Sequence, residues 1–224
     1  MKQQRVIAGR PVENPIHRLG LLSEQYESGG RGCGTVSSGK GDPGGVSYGL
    51  YQLASRTGTA AAFVRGEGQR WVSDLAGEPG TAAFSAGWVR VAARDPLAFA
   101  EAQHAFIART HYQPVVAAVK QATGHDLDHR ADALRDVVWS TAVQHGAAAR
   151  IMTDAVRQAD GVAPRDSLPH DRAVIEATYQ LRTGHVMAVA ARSSSVVRRT
   201  LAAICEKRYP DELAAALAML AAQA

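Results

Sequence analysis

The sequence predicts a mainly α-helical protein that carries one small, glycine-rich β-hairpin near its N-terminus. Hydrophobic residues make up 46% of the chain and aromatic residues 6%, and the many alanines favour helix. Apolar residues recur at helical spacing through most of the chain, whereas residues 30–53 have no helical period. At 224 residues the chain can bury a core without disulfide or metal support. We therefore expect a flexible arm at 1–14 and a single domain at 15–224.

The first predicted element is a helix that leads into the glycine-rich segment. Leu19, Leu22 and Tyr26 have the spacing of residues on one helical face. The helix is expected to end at the glycine pair that begins with Gly29. Glu27 therefore falls in its last turn.

The remaining elements follow in order along the chain. Residues 46–53 alternate in a way that is typical of a strand or hairpin arm. A short helix is expected at 57–64, followed by a glycine-rich connection to about Gly87. Helical patterns then predict helices at about 96–110, 112–123, 129–143, 146–159, 170–183, 193–207 and 211–222.

Charge and hydropathy limit the partners. The net charge of +4 and the pI near 9.3 favour polyanions, which include nucleic acid, anionic lipid and a bacterial cell wall, and the charge alone does not choose among them. Because the basic residues are scattered, a solvated surface without a partner is an equally good interpretation. We expect a cell-wall partner and no nucleic acid. No apolar run is long enough for a signal peptide or a membrane span, which predicts synthesis in the cytoplasm without a leader and no membrane insertion. Cys33 and Cys205 match no metal spacing, and two free thiols are expected.

Two carboxylates flank the glycine-rich segment. Cleavage of a glycosidic bond needs a proton donor and, in most schemes, an ionised second carboxylate. Glu27 faces the negative end of a helix dipole, which disfavours its ionised form, so it fits the acid. Asp42 lies in a loop where solvent and backbone N–H groups keep it charged, so it fits the base. Taken alone, a solvated helix end and a turn before proline are the more common roles of these two residues.

Two other motifs are weaker. The segment from Gly34 to Gly41 nearly matches the phosphate-binding loop GxxxxGK[ST]. Glycine stands where the magnesium-binding hydroxyl is required, however, and the loop follows a helix instead of a strand. His125 and His129 have the i,i+4 spacing of helical metal ligands but lack the adjacent glutamate. We therefore expect solvated histidines and no metal site.

Two polar residues lie at the end of the helix predicted at 129–143. Gln144 and His145 come at its end, just before Gly146, where they are placed to reach a sugar. An equally good interpretation makes Trp139 a core residue and His145 a capping residue.

Three blocks, in this order, carry a resemblance to a known family. They are Glu27-Ser-Gly-Gly, the segment from Thr35 to Leu53, and the segment from Val138 to Gly146. They resemble the lysozyme-like peptidoglycan hydrolases that occur as C-terminal domains of VgrG-type type VI secretion spike effectors and as phage lysins. These proteins are related in fold to family 46 chitosanases.

The resemblance implies a lysozyme-like helical fold that cleaves the β-1,4 glycan strands of peptidoglycan. It assigns Glu27 as the general acid and Asp42 as the second carboxylate, and it implies no metal or other cofactor. The strand also looks like that of goose-type lysozymes and lytic transglycosylases, although Tyr51 replaces the methionine of their G-L-M-Q segment. The residues expected to bind substrate are Ser47, Tyr48, Tyr51, Gln52, Gln144 and His145.

Several alternatives stay open. A lytic transglycosylase does without the second carboxylate, so Asp42 favours hydrolysis. A chitosanase-like glycosidase fits less well because a basic protein is poorly suited to a cationic polymer. A non-catalytic cell-wall binding module would keep the same fold. The chain would be either a phage lysin or a secreted effector, and an effector would imply a periplasmic immunity protein.

Overall fold

The computed structural model of the chain describes residues 18–22 and 32–223. Within them the fold is mainly helical, with a small antiparallel sheet near the N-terminus. The predicted fold class is therefore confirmed. Glu27, the predicted arm at 1–14 and the predicted helix end at Gly29 lie outside the described residues.

The sheet is a short hairpin. Strand β1 (Ser47–Tyr48) pairs antiparallel with strand β2 (Leu53–Ala54), in a register that places Tyr48 opposite Leu53. On its other side, Tyr48 forms an isolated antiparallel bridge with Val36. The hairpin predicted from the alternating segment is confirmed, and the chain before it adds a third, minimal pairing.

The helices fill most of the remaining chain. Within residues 32–223 the α-helices are α1 (Thr59–Arg65), α2 (Ala82–Arg94), α3 (Pro96–Ile107), α4 (Gln113–Thr123), α5 (Asp132–Gln144), α6 (Ala148–Ala159), α7 (Leu168–Ala191), α8 (Ser195–Ala203) and α9 (Tyr209–Ala221). A π-helical turn at Ala108–Tyr112 joins α3 to α4, and another at Ile204–Arg208 joins α8 to α9.

The structure corrects the prediction for the segment between α1 and α3. Where a glycine-rich connection to about Gly87 was expected, the chain forms α2, and the Thr81 hydroxyl accepts a hydrogen bond from the N–H of Phe84 to cap it. Gly87 lies inside this helix, against the carbonyl of Asp74. A Cβ at that position would lie 2.3 Å from the carbonyl oxygen. The glycine that suggested a loop instead allows a close approach between two backbone segments.

The C-terminal helices also differ from the prediction. The helix expected at 170–183 begins earlier, where Ser167 caps α7, and continues through the exposed Gly184 to Ala191. A glycine inside a helix costs only about 1 kcal/mol relative to alanine, which packing along the rest of α7 offsets. The helix expected at 193–207 is divided between α8 and the π-helical turn that follows it.

The core has an aromatic part beneath the hairpin and an aliphatic part around α5. Trp88 is fully buried, and its ring lies 5.1 Å from that of Tyr48, 5.4 Å from Phe63 and 4.7 Å from Phe99. Residues 136–142 of α5 are all buried, with α7 and α9 packed against them. Of the helices in the described ranges, none combines the length and hydropathy needed to cross a membrane.

Candidate active site

A buried glutamine fixes the turn of the hairpin. Gln103 on α3 is fully buried, and its side-chain oxygen accepts a hydrogen bond of 2.9 Å from the N–H of Leu50. Its amide nitrogen donates to the carbonyl of Cys33 over 3.0 Å, so one side chain joins the turn to the segment entering the sheet. Gly49 has φ of 72°, and a Cβ there would lie 2.2 Å from the Gln103 oxygen. Glycine is therefore required at this position.

Gln52 is held in an uncommon backbone conformation at the same turn. Its φ of 52° lies in the left-handed region, which side chains other than glycine seldom adopt. Its amide nitrogen donates to the Gly49 carbonyl over 3.1 Å, and the side chain is half-buried. Such conformations are concentrated at functional sites, where the surrounding structure imposes them. The predicted substrate-binding residue therefore occupies a strained, constrained position.

Tyr51 brings the turn against α3 and α5. Its half-buried ring contacts Trp139 at 6.0 Å and His104 at 6.4 Å between ring centroids, both edge-on. The His104 ring is stacked on Trp139 at 4.4 Å, and its Nε2 lies 2.8 Å from the carbonyl of Leu19. Three separate parts of the chain thus meet around the Trp139 side chain.

Asp136 on α5 anchors the segment that leads toward Glu27. Its fully buried carboxylate accepts hydrogen bonds of 2.9 Å from the N–H of Gly20 and 3.1 Å from the N–H of Leu22. Residues 21 and 22 are helical, so Asp136 caps the start of this helix, although it lies 114 or more residues away in sequence. Glu27 follows Leu22 by a few residues and lies outside the described part.

Asp42 lies on an ordered, exposed turn. Its Oδ1 accepts a hydrogen bond of 2.7 Å from the N–H of Gly44, and its carbonyl accepts one of 3.0 Å from the N–H of Gly45. The Arg56 guanidinium lies 3.5 Å from the same carbonyl. Local hydrogen bonding therefore holds the loop while the carboxylate faces solvent. Asp42 and Gln52 lie on the two turns at opposite ends of β1.

A shallow pocket opens beside the Asp42 turn. It has a volume of about 340 Å³ and is lined by glycines and small polar groups, including Gly39, Gly45 and Ser55, with Arg56 at its edge. Gly39 and Gly45 both have positive φ, which lets the backbone form the pocket wall without side chains. The pocket is open enough to admit a sugar or a peptide carboxylate.

Ser47 and Tyr48 are placed in the interior. Tyr48 is fully buried, and its hydroxyl lies 2.9 Å from Ser85 Oγ and accepts a hydrogen bond of 2.8 Å from the N–H of Gly80. Ser47 is 5% exposed, and its N–H donates to Ser37 Oγ over 2.8 Å. That these residues bind substrate stays a prediction. Their contacts give them a structural role, which is to hold the hairpin against the aromatic core.

Gln144 and His145 belong to a buried polar network at the C-terminal end of α5. The Gln144 side-chain oxygen accepts a hydrogen bond from Arg182, and His145 Nε2 lies 2.9 Å from the Tyr209 hydroxyl. Burial, together with the positive charge of Arg182, lowers the pKa of His145 to about 3. The ring is therefore neutral at physiological pH. No hydrogen bond or ring contact within the described residues joins this pair to the hairpin, and their substrate role stays a prediction.

Gln103, Asp136 and His104 were not singled out by sequence reasoning. Gln103 lies on the same face of α3 as the buried Phe99 and Phe106. An amide side chain at such a core position could have been predicted from the sequence to have a specific hydrogen-bond partner. Asp136 similarly interrupts the buried stripe of α5. Polar residues at core positions of amphipathic helices usually have specific partners, and these two organise the candidate site.

The expectations about cysteines and metals have different outcomes. Cys33 and Cys205 are free thiols, as predicted. His129 is 82% exposed and pairs with Asp126, whereas His125 is buried. The expectation that both histidines are solvated is therefore confirmed for His129 and wrong for His125. Within the described residues, the potential metal ligands that cluster together are His125, His170 and Asp171.

The fold and site define a helical domain in which α3 and α5 hold a glycine-rich hairpin beside the segment leading to Glu27. The chain belongs to the family described as "Type VI secretion system spike protein VgrG3-like, C-terminal", whose family model matches residues 19–208. It is 37% identical over 157 residues to the type VI secretion system spike protein VgrG3 of Vibrio cholerae serotype O1 (strain ATCC 39315 / El Tor Inaba N16961). That match covers 68% of this chain but only 15% of the relative.

Proposed function

We propose that this domain hydrolyses the β-1,4 glycan strands of bacterial peptidoglycan as the C-terminal part of a type VI secretion spike effector. The observation that carries the proposal is the shared anchoring around Trp139. Tyr51 of the hairpin contacts Trp139, while Asp136, one turn away on α5, holds the segment leading to Glu27. A single helix thus contacts both the hairpin turn and the described residues that precede Glu27 in the chain.

In the proposed mechanism, Glu27 donates a proton to the leaving glycosidic oxygen while Asp42 activates or orients water. The Asp42 carboxylate is exposed on its turn, where water can reach it. Gln52 and Tyr51 would contact the sugar between the two carboxylates. A carboxylate separation of about 6.5–9.5 Å would predict inversion, and about 5 Å retention. This chemistry requires no metal or cofactor.

The pocket beside the Asp42 turn supports peptidoglycan as the substrate class. Peptidoglycan carries free carboxylates on its stem peptides, and Arg56, which lines this pocket, is exposed. The net charge of +4 favours the same polyanion. Delivery by type VI secretion would place the reaction in the periplasm, where a periplasmic immunity protein would be the expected antagonist.

The direct test is digestion of purified peptidoglycan, followed by mass spectrometry of the released fragments. Glu27→Gln should lower the rate by about 100-fold or more, because the proton donor is lost. Asp42→Asn should also cause a large loss, while its amide oxygen can still accept the Gly44 hydrogen bond. Glu78→Gln is the matched control, because Glu78 is an exposed carboxylate next to Pro79 and Gly80, which line the same pocket as the Asp42 turn. Near-normal activity of Glu27→Gln would refute the assignment.

A lytic transglycosylase is the second candidate. This enzyme needs no second carboxylate, and Asp42 has a structural role without catalysis, because its Oδ1 accepts a hydrogen bond from the N–H of Gly44 within the turn. That enzyme would release anhydro-sugars instead of reducing ends, and it would tolerate Asp42→Asn. Protein that sediments with sacculi but releases no fragments would instead indicate a binding module. Activity on glucosamine polymers alone would indicate a chitosanase-like enzyme.

A further inference from the structure

A buried pair of histidines lies between α4 and α7, in the part of the chain that the proposed function does not use. His125 is 4% exposed and His170 is fully buried, with ring centroids 5.0 Å apart. His125 Nε2 and His170 Nδ1 are buried and have no hydrogen-bond partner. Two unsatisfied ring nitrogens in one interior place are costly unless something binds them.

The bonding of His170 fixes which of its nitrogens is available. Its Nε2 lies 3.1 Å from Asp160 Oδ1, and the Asp160 carboxylate also forms an ion pair of 2.6 Å with Arg165. An ionised carboxylate only accepts, so His170 must donate from Nε2. In the neutral ring, Nδ1 then carries a free lone pair. Hydrogen bonding of the distal ring nitrogen to a carboxylate is the usual support of a metal-binding histidine.

Asp171 completes a set of three ligands. One ring nitrogen each from His125 and His170 and one oxygen of the fully buried Asp171 lie within 4.8 Å of one another. Asp171 Oδ1 also accepts from Arg130 Nε over 2.9 Å, and its Oδ2 accepts from Arg130 Nη2 and from the N–H of Ala131, each over 3.3 Å. Each carboxylate oxygen has a second lone pair and can accept more than one interaction. Tetrahedral zinc ligands lie about 3.3 Å apart, so no pair needs to close by more than about 1.5 Å.

The charge around the cluster is compatible with a cation. Arg130 and Arg165 are the nearby cationic side chains, and they pair with three carboxylates, which are Asp160, Asp166 and Asp171. The two guanidinium groups and three carboxylates together carry one net negative charge.

We propose that His125, His170 and Asp171 bind a Zn²⁺ ion, with water in the fourth position. The two histidine nitrogens and the carboxylate oxygen match the ligands that zinc prefers. The ion would join the segment before α5 to the first turn of α7, and it would bind the two nitrogens that are otherwise unsatisfied. The site is separate from the hairpin and does not depend on glycan cleavage.

Zinc binding can be measured on tag-free protein treated with chelator, by equilibrium dialysis against Zn²⁺ and elemental analysis. We expect one zinc per chain and a higher melting temperature with zinc present. His125→Leu and His170→Leu should abolish both effects, and Asp160→Asn should weaken binding by about 10- to 100-fold. His129→Asn, in the same sequence motif but exposed, is the matched control and should bind normally.

Circular dichroism and gel filtration check that the leucine variants are folded. If they do not fold, the decision rests on the graded loss in Asp160→Asn, together with the visible spectrum of Co²⁺-substituted wild-type protein, which should indicate four-coordination. Failure of the folded wild-type protein to bind zinc would overturn the proposal. The proposal would also be overturned if the two leucine variants bound zinc as well as the wild-type protein does, or if His129→Asn lost as much binding as they do.

Discussion

The two ends of α5 both bury a polar group, but the groups have different partners. Asp136, one turn into the helix, binds the backbone of the remote segment at Gly20 and Leu22. At the other end, Gln144 binds Arg182, which forms a fully buried ion pair with Glu212. The first end positions a segment that leads to the candidate acid, and the second joins helices to one another. Disturbing the first should therefore affect activity most, and disturbing the second should affect stability most.

The largest expected effect on stability is at Glu212. Its carboxylate is 3.2 Å from Arg182 Nη1 and accepts hydrogen bonds from Ser140, Tyr179 and Arg208. Glu212→Ala leaves the Arg182 charge buried and uncompensated, which should lower the free energy of unfolding by about 3–5 kcal/mol. Urea unfolding measures this loss. Peptidoglycan cleavage per folded molecule should be unchanged.

Two variants test whether the loss comes from the unpaired charge. Arg182→Met combined with Glu212→Leu removes both charges and should be less destabilising than Glu212→Ala alone. Glu176→Ala breaks a partly exposed pair with Arg172 on α7 and should cost at most about 1 kcal/mol. If the double variant is the least stable of the set, the ion pair itself stabilises the fold and the explanation is wrong.

The next effect is at Asp136, where activity should fall more than stability. Asp136→Ala leaves two backbone N–H groups without their acceptor, and because only the Gly20 bond is fully buried the cost should be about 1–3 kcal/mol, less than at Glu212. Because these groups fix the start of the segment leading to Glu27, we expect a lower kcat on peptidoglycan in protein that is still folded. Asp136→Asn keeps one acceptor oxygen and should recover part of the activity.

Hydrogen exchange gives a measurement that does not depend on the proposed function. The amides of Gly20 and Leu22 should lose protection in Asp136→Ala, whereas those of the hairpin should keep it. Asp132→Ala, which removes a partly exposed carboxylate from the same helix, is the control and should change neither amide. Unchanged protection at both amides in Asp136→Ala would contradict the anchoring role.

Much of this arrangement follows from local sequence signals. The hairpin was predictable because apolar and polar residues alternate through Val46 to Leu53, and most helices because their apolar stripes have helical spacing. Asp42 was predictable as a turn residue because its neighbours are glycine and proline. In the structure its Oδ1 accepts a hydrogen bond from the N–H of Gly44.

What the sequence did not reveal are contacts between distant segments. Gly87 resembled a loop residue because nothing in the sequence indicates that the Asp74 backbone passes close to it. Tyr48 resembled a surface aromatic of a sugar-binding strand, although its hydroxyl is bound by Gly80 and Ser85. Asp136 lies 116 residues from Gly20, and no local pattern links such a pair.

The smallest effect separates the two roles that remain for His145. Its folded-state pKa is depressed to about 3 by burial and by the charges of Arg182, His185 and Arg208, so the unfolded chain binds a proton that the folded chain does not. This residue therefore lowers stability as the pH falls below its ordinary pKa, 6.5, toward 3. His145→Gln should make the decline between about pH 6.5 and 5 shallower, by up to about 1.4 kcal/mol per pH unit.

His129→Gln is the control, since it replaces a histidine at an exposed site. The wild-type slope also includes His111 and His125, whose pKa values are lowered by burial, so the difference between the variant and wild type isolates His145. If His145→Gln instead leaves the slope unaltered and raises KM on peptidoglycan, the C-terminal end of α5 contacts the glycan. The contrast between the two ends of α5, one that positions the segment leading to Glu27 and one that stabilises helix packing, would then fail, because both ends would belong to the substrate cleft.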